Sequence, residues 1–206
     1  MSLGALLCSR PAEKPENYIF VGLIATVAVG GGHAVLTDLG VIGAKALTEL
    51  LAFIVCMRCF PRETHAPWSS RLTLCLIAAG VGGAGLWIAI VGYPEREARG
   101  LIDWSGLTRF NYVLGVVTSC ILAPLFEEKV VRHLLLSGAS HYLGKFLATL
   151  AVSVLFAWPH IGNEIFAFIF SITLCLSVYL FKLDSWQRAL IHGILNLVII
   201  QWELMQ

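Results

Sequence analysis

Three short stretches of the chain carry side chains able to do acid–base chemistry. Residues 126–133 read FEEKVVRH and place Glu127, Glu128, Lys129, Arg132 and His133 together; FAWPHIGN at 156–163 holds His160; IHGILN at 191–196 holds His192 and Asn196. On a helix, Glu128 and Arg132 are four residues apart with the acid first, the better order for an ion pair. Glu127 is turned about 100° away, and its own third and fourth neighbours are Val130 and Val131. A carboxyl left on such an apolar stripe is expected to be desolvated, the condition under which a carboxyl works as base or acid near neutral pH. His192 and Asn196 share one helix face, so two donors converge on one point, where they could stabilise a developing oxyanion. Taken one at a time, each has a plainer reading: an interfacial charge cluster, a helix-end histidine, and polar glue between helices.

The elements that carry these groups are apolar. The chain has 206 residues, of which 58% are hydrophobic and 13% charged, with a mean hydropathy of +0.81. A soluble domain has about a quarter charged residues, so this is expected to be an all-α, polytopic transmembrane bundle. Apolar segments fall at 18–36, 41–60, 72–93, 110–138, 143–159, 163–182 and 186–204. Each approaches the roughly 20 residues that cross a bilayer, which predicts about seven spans. Residues 1–17 read as a polar N-terminal arm without a basic leader, since their apolar stretch is about five residues against the 7–15 of a signal peptide. Residues 18–206 read as a single transmembrane domain whose catalytic core lies within 110–200.

Charge placement is informative in a membrane. Ionised Glu127, Glu128, Lys129 and Arg132 would together cost on the order of 10 kcal/mol at the bilayer centre if unpaired, so they must pair, face a wet cavity or sit near an interface. The segment from Phe110 to Ser137 would make about 42 Å of helix, longer than the hydrocarbon core, and Pro124 gives it a reason to kink. With the N-terminus in the cytoplasm, Arg10, Lys14, Arg58, Arg62, Arg71, Lys145, Lys182 and Arg188 fall inside, against Lys45, Arg96, Arg99 and Arg109 outside. That excess favours a cytoplasmic N-terminus. The formal net charge of +1 gives no field that would attract nucleic acid. CMRC at 56–59 stands without a second ligand pair and reads as packing thiols. The glycine-rich VGGGHAV at 29–35 and AGVGGAG at 79–85 read as close helix packing.

Together the three stretches form a sequence of motifs: E-E-x-x-x-R, then F-x-x-x-H, then H-x-x-x-N, each in its own segment. In APLFEEKVVR (Glu127, Glu128, Arg132), FAWPH (Phe156, His160) and HGILN (His192, Asn196), the chain resembles the CPBP family of intramembrane proteases. That family includes the CAAX prenyl endopeptidases and bacterial relatives linked to bacteriocin immunity. The resemblance covers roughly residues 110–200. Relatives commonly carry an aromatic before the arginine and a glycine after it; Val131 and His133 stand there in this chain.

The resemblance implies a glutamic-type endopeptidase without cofactor. Glu127 and His160 would activate water, His192 and Asn196 would hold the oxyanion, and Glu128, Arg132 and Phe156 would support them. Zinc held by Glu127, His160 and His192 is the alternative. Implied partners are membrane lipids and a membrane-anchored or lipidated protein, cut near its membrane-associated C-terminal end in CAAX-like or sorting-signal processing. The small size and short loops point to a bacterial inner membrane. Two other classes stay open: a non-catalytic immunity or scaffold protein of the same fold, and a proton or metal carrier, since intramembrane Glu and His also build proton relays.

Overall fold

The computed structural model describes residues 14–61, 63, 66–93 and 108–205. Most of the expected N-terminal arm lies outside the described residues, as do the 94–106 loop and Arg10, Arg62, Arg96 and Arg99 of the charge comparison. Eight α-helical segments follow in order. They are α1 (Pro15–Asp38), α2 (Ala44–Cys59), α3 (Ser70–Trp87), α4 (Arg109–Val117), α5 (Ala123–Glu127), α6 (Leu136–Ala157), α7 (Glu164–Leu180) and α8 (Ser185–Leu204). Wider π-helical turns extend α3 over Ile88–Gly92, join α4 to α5 over Thr118–Leu122, and join α5 to α6 over Glu128–Leu135. Among the described residues there is no strand.

Local chemistry sets several of the boundaries. Pro15 starts α1 at a position where its missing N–H costs nothing. Ser69 and Thr108 cap α3 and α4 by accepting from the N–H groups of Leu72 and Asn111 at 3.1 and 3.2 Å. Asp184 and Gln187 form a reciprocal capping box at the start of α8.

Among the described residues, three helical stretches are long and apolar enough to cross a membrane: Pro15–Asp38, Ser70–Gly92 and Arg109–Ala157. The outer surface agrees with a lipid environment, because large apolar side chains such as Phe20, Val27, Leu86, Phe146 and Ile165 lie on it. A water-soluble monomer does not leave that much apolar surface uncovered.

Among the described residues the seven apolar segments expected fall into six helical runs, because 110–138 and 143–159 share the run Arg109–Ala157 and are parted within it by a kink at Gly144. Between the two segments, Ser140 donates its hydroxyl to the Leu136 carbonyl. At 49 residues, that run would be about 74 Å if straight, more than twice a hydrocarbon core of about 30 Å. Gly144 breaks it, with φ 71° and ψ 165°, a conformation that side chains with a Cβ rarely adopt. The expected kink at Pro124 takes the form of the Thr118–Leu122 π turn just before it.

The core joins both halves of the chain. Phe53 and Cys56 of α2 pack with Phe126, Val130, Leu134 and Ala148. Helix α3 lies along α8, where Gly80 faces the Ile191 carbonyl and the Ile194 side chain with no room for a Cβ. The packing account of the 79–85 glycines therefore holds at Gly80. It fails at Gly30 and Gly31, which face nothing within 4 Å. Gly80→Leu is expected to destabilise the fold by about 1–3 kcal/mol through overpacking. Gly82→Ala, facing open space, should leave it unchanged; thermal unfolding in detergent compares the two.

Candidate active site

The centre of the site is a carboxylate with no access to solvent. Glu128 is 0% exposed and is held from three sides. Arg132 Nη1 is 3.3 Å from its Oε1, Arg188 Nε is 3.3 Å from its Oε2, and His192 Nδ1 is 3.2 Å from Oε1. The i,i+4 pair expected between Glu128 and Arg132 is therefore present. Arg188 enters from the first turn of α8, and its Nη1 also donates to the Leu183 carbonyl. Arg132 donates to Ser171 Oγ at 2.9 Å, and its guanidinium lies 4.2 Å from the centre of the Phe156 ring. A guanidinium only donates and a carboxylate only accepts. Glu128 therefore accepts a hydrogen bond from His192 Nδ1–H, which leaves Nε2 as the outward nitrogen of that ring.

Nε2 of His192 points to the second acid, at 3.8 Å from Glu127 Oε2. The side chain of Glu127 keeps 26% exposure, and it is Glu128, one residue on, that is sealed in. The 100° between the two residues sends one into the ion-pair network and leaves the other at its margin.

His160 follows from its own local geometry. Its Nδ1 lies 2.8 Å from the Phe156 carbonyl, one helical turn earlier. A carbonyl cannot donate, so Nδ1 carries the hydrogen and Nε2 of the neutral ring is left as an acceptor. Phe156 thus has two supporting contacts: its backbone orients His160, and its ring lies between the two histidines, with centres 4.7 Å from His160 and 6.0 Å from His192.

His160, His192 and Asn196 line one cavity of about 220 Å³, together with Trp87, Phe156, Asn163 and Phe170. That is many times the roughly 10–15 Å³ needed for one water. Asn163 accepts from the Trp87 indole N–H at 3.0 Å, which ties α3 to the start of α7. Asn196 donates to the Ser119 carbonyl at 2.7 Å. Glu127 meets this group through His192, and no hydrogen bond or ion pair joins it to His160. Among the described residues no group of three or more His, Cys, Asp or Glu side chains is arranged to hold a metal ion.

Two acids that the sequence did not single out are also buried. Glu63, in the connection between α2 and α3, receives Lys129 Nζ at 2.6 Å and both the N–H and the hydroxyl of Ser185 at 2.8–2.9 Å. His133 Nδ1 lies 3.5 Å away and Arg188 Nη2 3.6 Å. Lys129 also donates to the Phe60 carbonyl, and Gln187 to that of Ala66. Arg188 therefore bridges Glu63 and Glu128, and these two acids share three cations, Lys129, Arg132 and Arg188. No spacing signal marked Glu63, because its partners come from two distant helices. Glu49 of α2, at 2% exposure, meets only Lys45 at 3.8 Å and leaves Oε2 without a hydrogen bond.

Residues 109–198 match the family model of type II CAAX prenyl endopeptidase Rce1-like proteins. The segment is similar to that family. The match spans all three motif stretches, from before Glu127 to beyond Asn196, and agrees with the protease family that the sequence resembles. No curated protein and no solved structure matches the chain. The matched segment begins at α4, so Glu63, which clamps it, belongs to the part of the chain before it.

Burial acts to raise the pKa of Glu63, but His133, Lys129 and Arg188 outweigh that and hold it below the usual 4.5. The stability it contributes is therefore complete above pH 4.5 and is lost as pH falls through its lower folded value. Glu63→Gln is expected to cost about 3 kcal/mol, because it strips the countercharge from buried cations. It should also remove that part of the acid-side loss; unfolding curves between neutral pH and pH 3 measure both effects.

Proposed function

We propose that the chain is an intramembrane endopeptidase that hydrolyses a peptide bond near the membrane-associated C-terminal end of a substrate protein. The observation that carries this reading is the shared cavity of His160, His192 and Asn196; Glu127 is not part of its lining and meets it through His192 Nε2 at 3.8 Å. The family match supports it, as a family of CAAX-type endopeptidases.

In the proposed reaction, a water between His160 Nε2 and Glu127 gives up a proton and its oxygen attacks the scissile carbonyl carbon. The carbonyl electrons move onto oxygen, where the Asn196 amide donates to the oxyanion, joined by Nε2 of His192 when that ring carries a hydrogen on both nitrogens. As the tetrahedral species collapses, the C–N bond breaks and the leaving amine takes the proton held by Glu127. Glu128, fixed by Arg132 and Arg188, acts on this sequence only by holding His192 through Nδ1.

Orientation bears on the substrate. The cavity lies at the end of the bundle formed by the 158–163 turn, the last turns of α3 and the C-terminal half of α8, as its lining by Trp87, His160 and Ile199 requires. The Glu63 cluster lies at the opposite end, with Ala66 bonded to the Lys182 carbonyl. Among the described residues, Lys14, Arg58, Arg71, Lys145 and Lys182 belong to that opposite end, and Lys45 and Arg109 to the cavity end. By the positive-inside rule, the site opens away from the cytoplasm of a bacterial inner membrane. This favours the membrane tail of an exported protein over a prenylated cytosolic one.

Glu127→Gln should abolish cleavage while the protein stays folded. Membrane-protein termini compared between cells with wild type and variant should show new termini only with wild type. Identical profiles from folded, equally abundant proteins would favour the scaffold or immunity reading. For orientation, a reporter enzyme active only outside the cytoplasm should be active when fused after residue 205. A reporter active only in the cytoplasm should be silent there, and the reverse pattern would assign cytosolic access.

A further inference from the structure

The Ser119 carbonyl has lost both of its possible helical donors. In an α-helix it would receive the N–H of residue 123, but Ala123 bonds instead to Thr118 in the π turn. In the π register it would receive the N–H of residue 124, which is Pro124 and has none. The partner it does have is the side chain of Asn196, at 2.7 Å. Gly193, one turn earlier on α8, makes the approach possible: a Cβ there would run into the Cys120 carbonyl. The glycine and asparagine of HGILN therefore dock against the π turn side by side.

We propose that Pro124 is a positioning residue for Asn196: by withholding an N–H it keeps the Ser119 carbonyl free to anchor the asparagine amide at the wall of the cavity. One amide hydrogen is spent on this anchor, and the other remains for a ligand in the cavity. The consequence for catalysis rests on the peptidase reading given above; the docking itself does not. Any residue other than proline at position 124 supplies an N–H that competes with Asn196 for the same carbonyl. The amide then loses its fixed direction while the cavity keeps its shape.

The experiment is a double-mutant cycle of Pro124→Ala and Asn196→Ala, read first by thermal unfolding in detergent. Asn196→Ala in the natural background leaves a buried carbonyl unpaired and should lower Tm by about 2–4 °C. In the Pro124→Ala background the restored N–H takes the carbonyl, so adding Asn196→Ala should not lower Tm further. Equal losses in both backgrounds would overturn the proposal. Peptidase assays add the second readout. Pro124→Ala should lower kcat with little change in KM, and Asn196→Ala on top of it should cost much less than it does alone; independent, multiplying losses overturn the proposal. If the stability cycle couples while wild type cleaves nothing, the docking stands and the peptidase reading fails. Pro124→Leu, which also restores the N–H, replaces Pro124→Ala if the latter does not fold. If neither folds while Asn196→Ala does, the proposal is overturned, because a restored donor should satisfy the carbonyl.

Discussion

A buried carboxylate must be compensated on every side, and the structure is arranged around that demand at Glu128. Moving an ion out of water costs several kcal/mol even after relaxation, and it is tolerated only with good geometry and full hydrogen bonding. Arg132 and Arg188 supply the charge, and His192 supplies the remaining bond. Arg132 must in turn be accommodated, which Phe156 and Ser171 do. Arg188 must be accommodated as well, which draws in Leu183, Ser185 and Glu63. Four helical segments and two connections are thereby fixed relative to one carboxyl group, and His192 of the cavity takes its direction from it.

Much of the site was legible in the sequence, because helix arithmetic works over four residues. The Glu128–Arg132 pair, the separation of Glu127 from it, and the shared face of His192 and Asn196 all follow from 100° per residue. Relations across the bundle were not legible. Glu63 sits in an ordinary polar loop, and only the folded chain shows that Lys129, His133, Ser185 and Arg188 converge on it. The surroundings of Glu127 were not legible either: its helical neighbours are apolar, but what covers a residue is decided by other helices. Hydropathy parts 110–138 from 143–159 at Ser140 and His141, whereas the backbone stays helical there and breaks at Gly144.

The π turns illustrate a related point. A π turn adds a residue to the helical circuit and leaves a carbonyl without its usual donor, and such turns gather at functional sites. Here two of them flank Ala123–Glu127. One releases the Ser119 carbonyl to Asn196; the other spans Glu128 to Leu135, where Lys129, Arg132 and His133 leave for different partners. Charged neighbours that would crowd one face of a regular helix are spread around its circumference.

The placement of Arg188 has a consequence for how the protein is made. Helix α8 carries Gln187, Arg188, His192 and Asn196, and it is not among the stretches apolar enough to cross a membrane by themselves. An arginine presented alone at mid-bilayer is disfavoured by roughly 2.5–3.5 kcal/mol on insertion scales. Glu63 and Glu128 precede it in synthesis, so countercharges already stand in the membrane when α8 emerges. The helix that brings two of the cavity's polar groups is thus a late guest of its own scaffold, admitted through the ion pairs that will later hold the site.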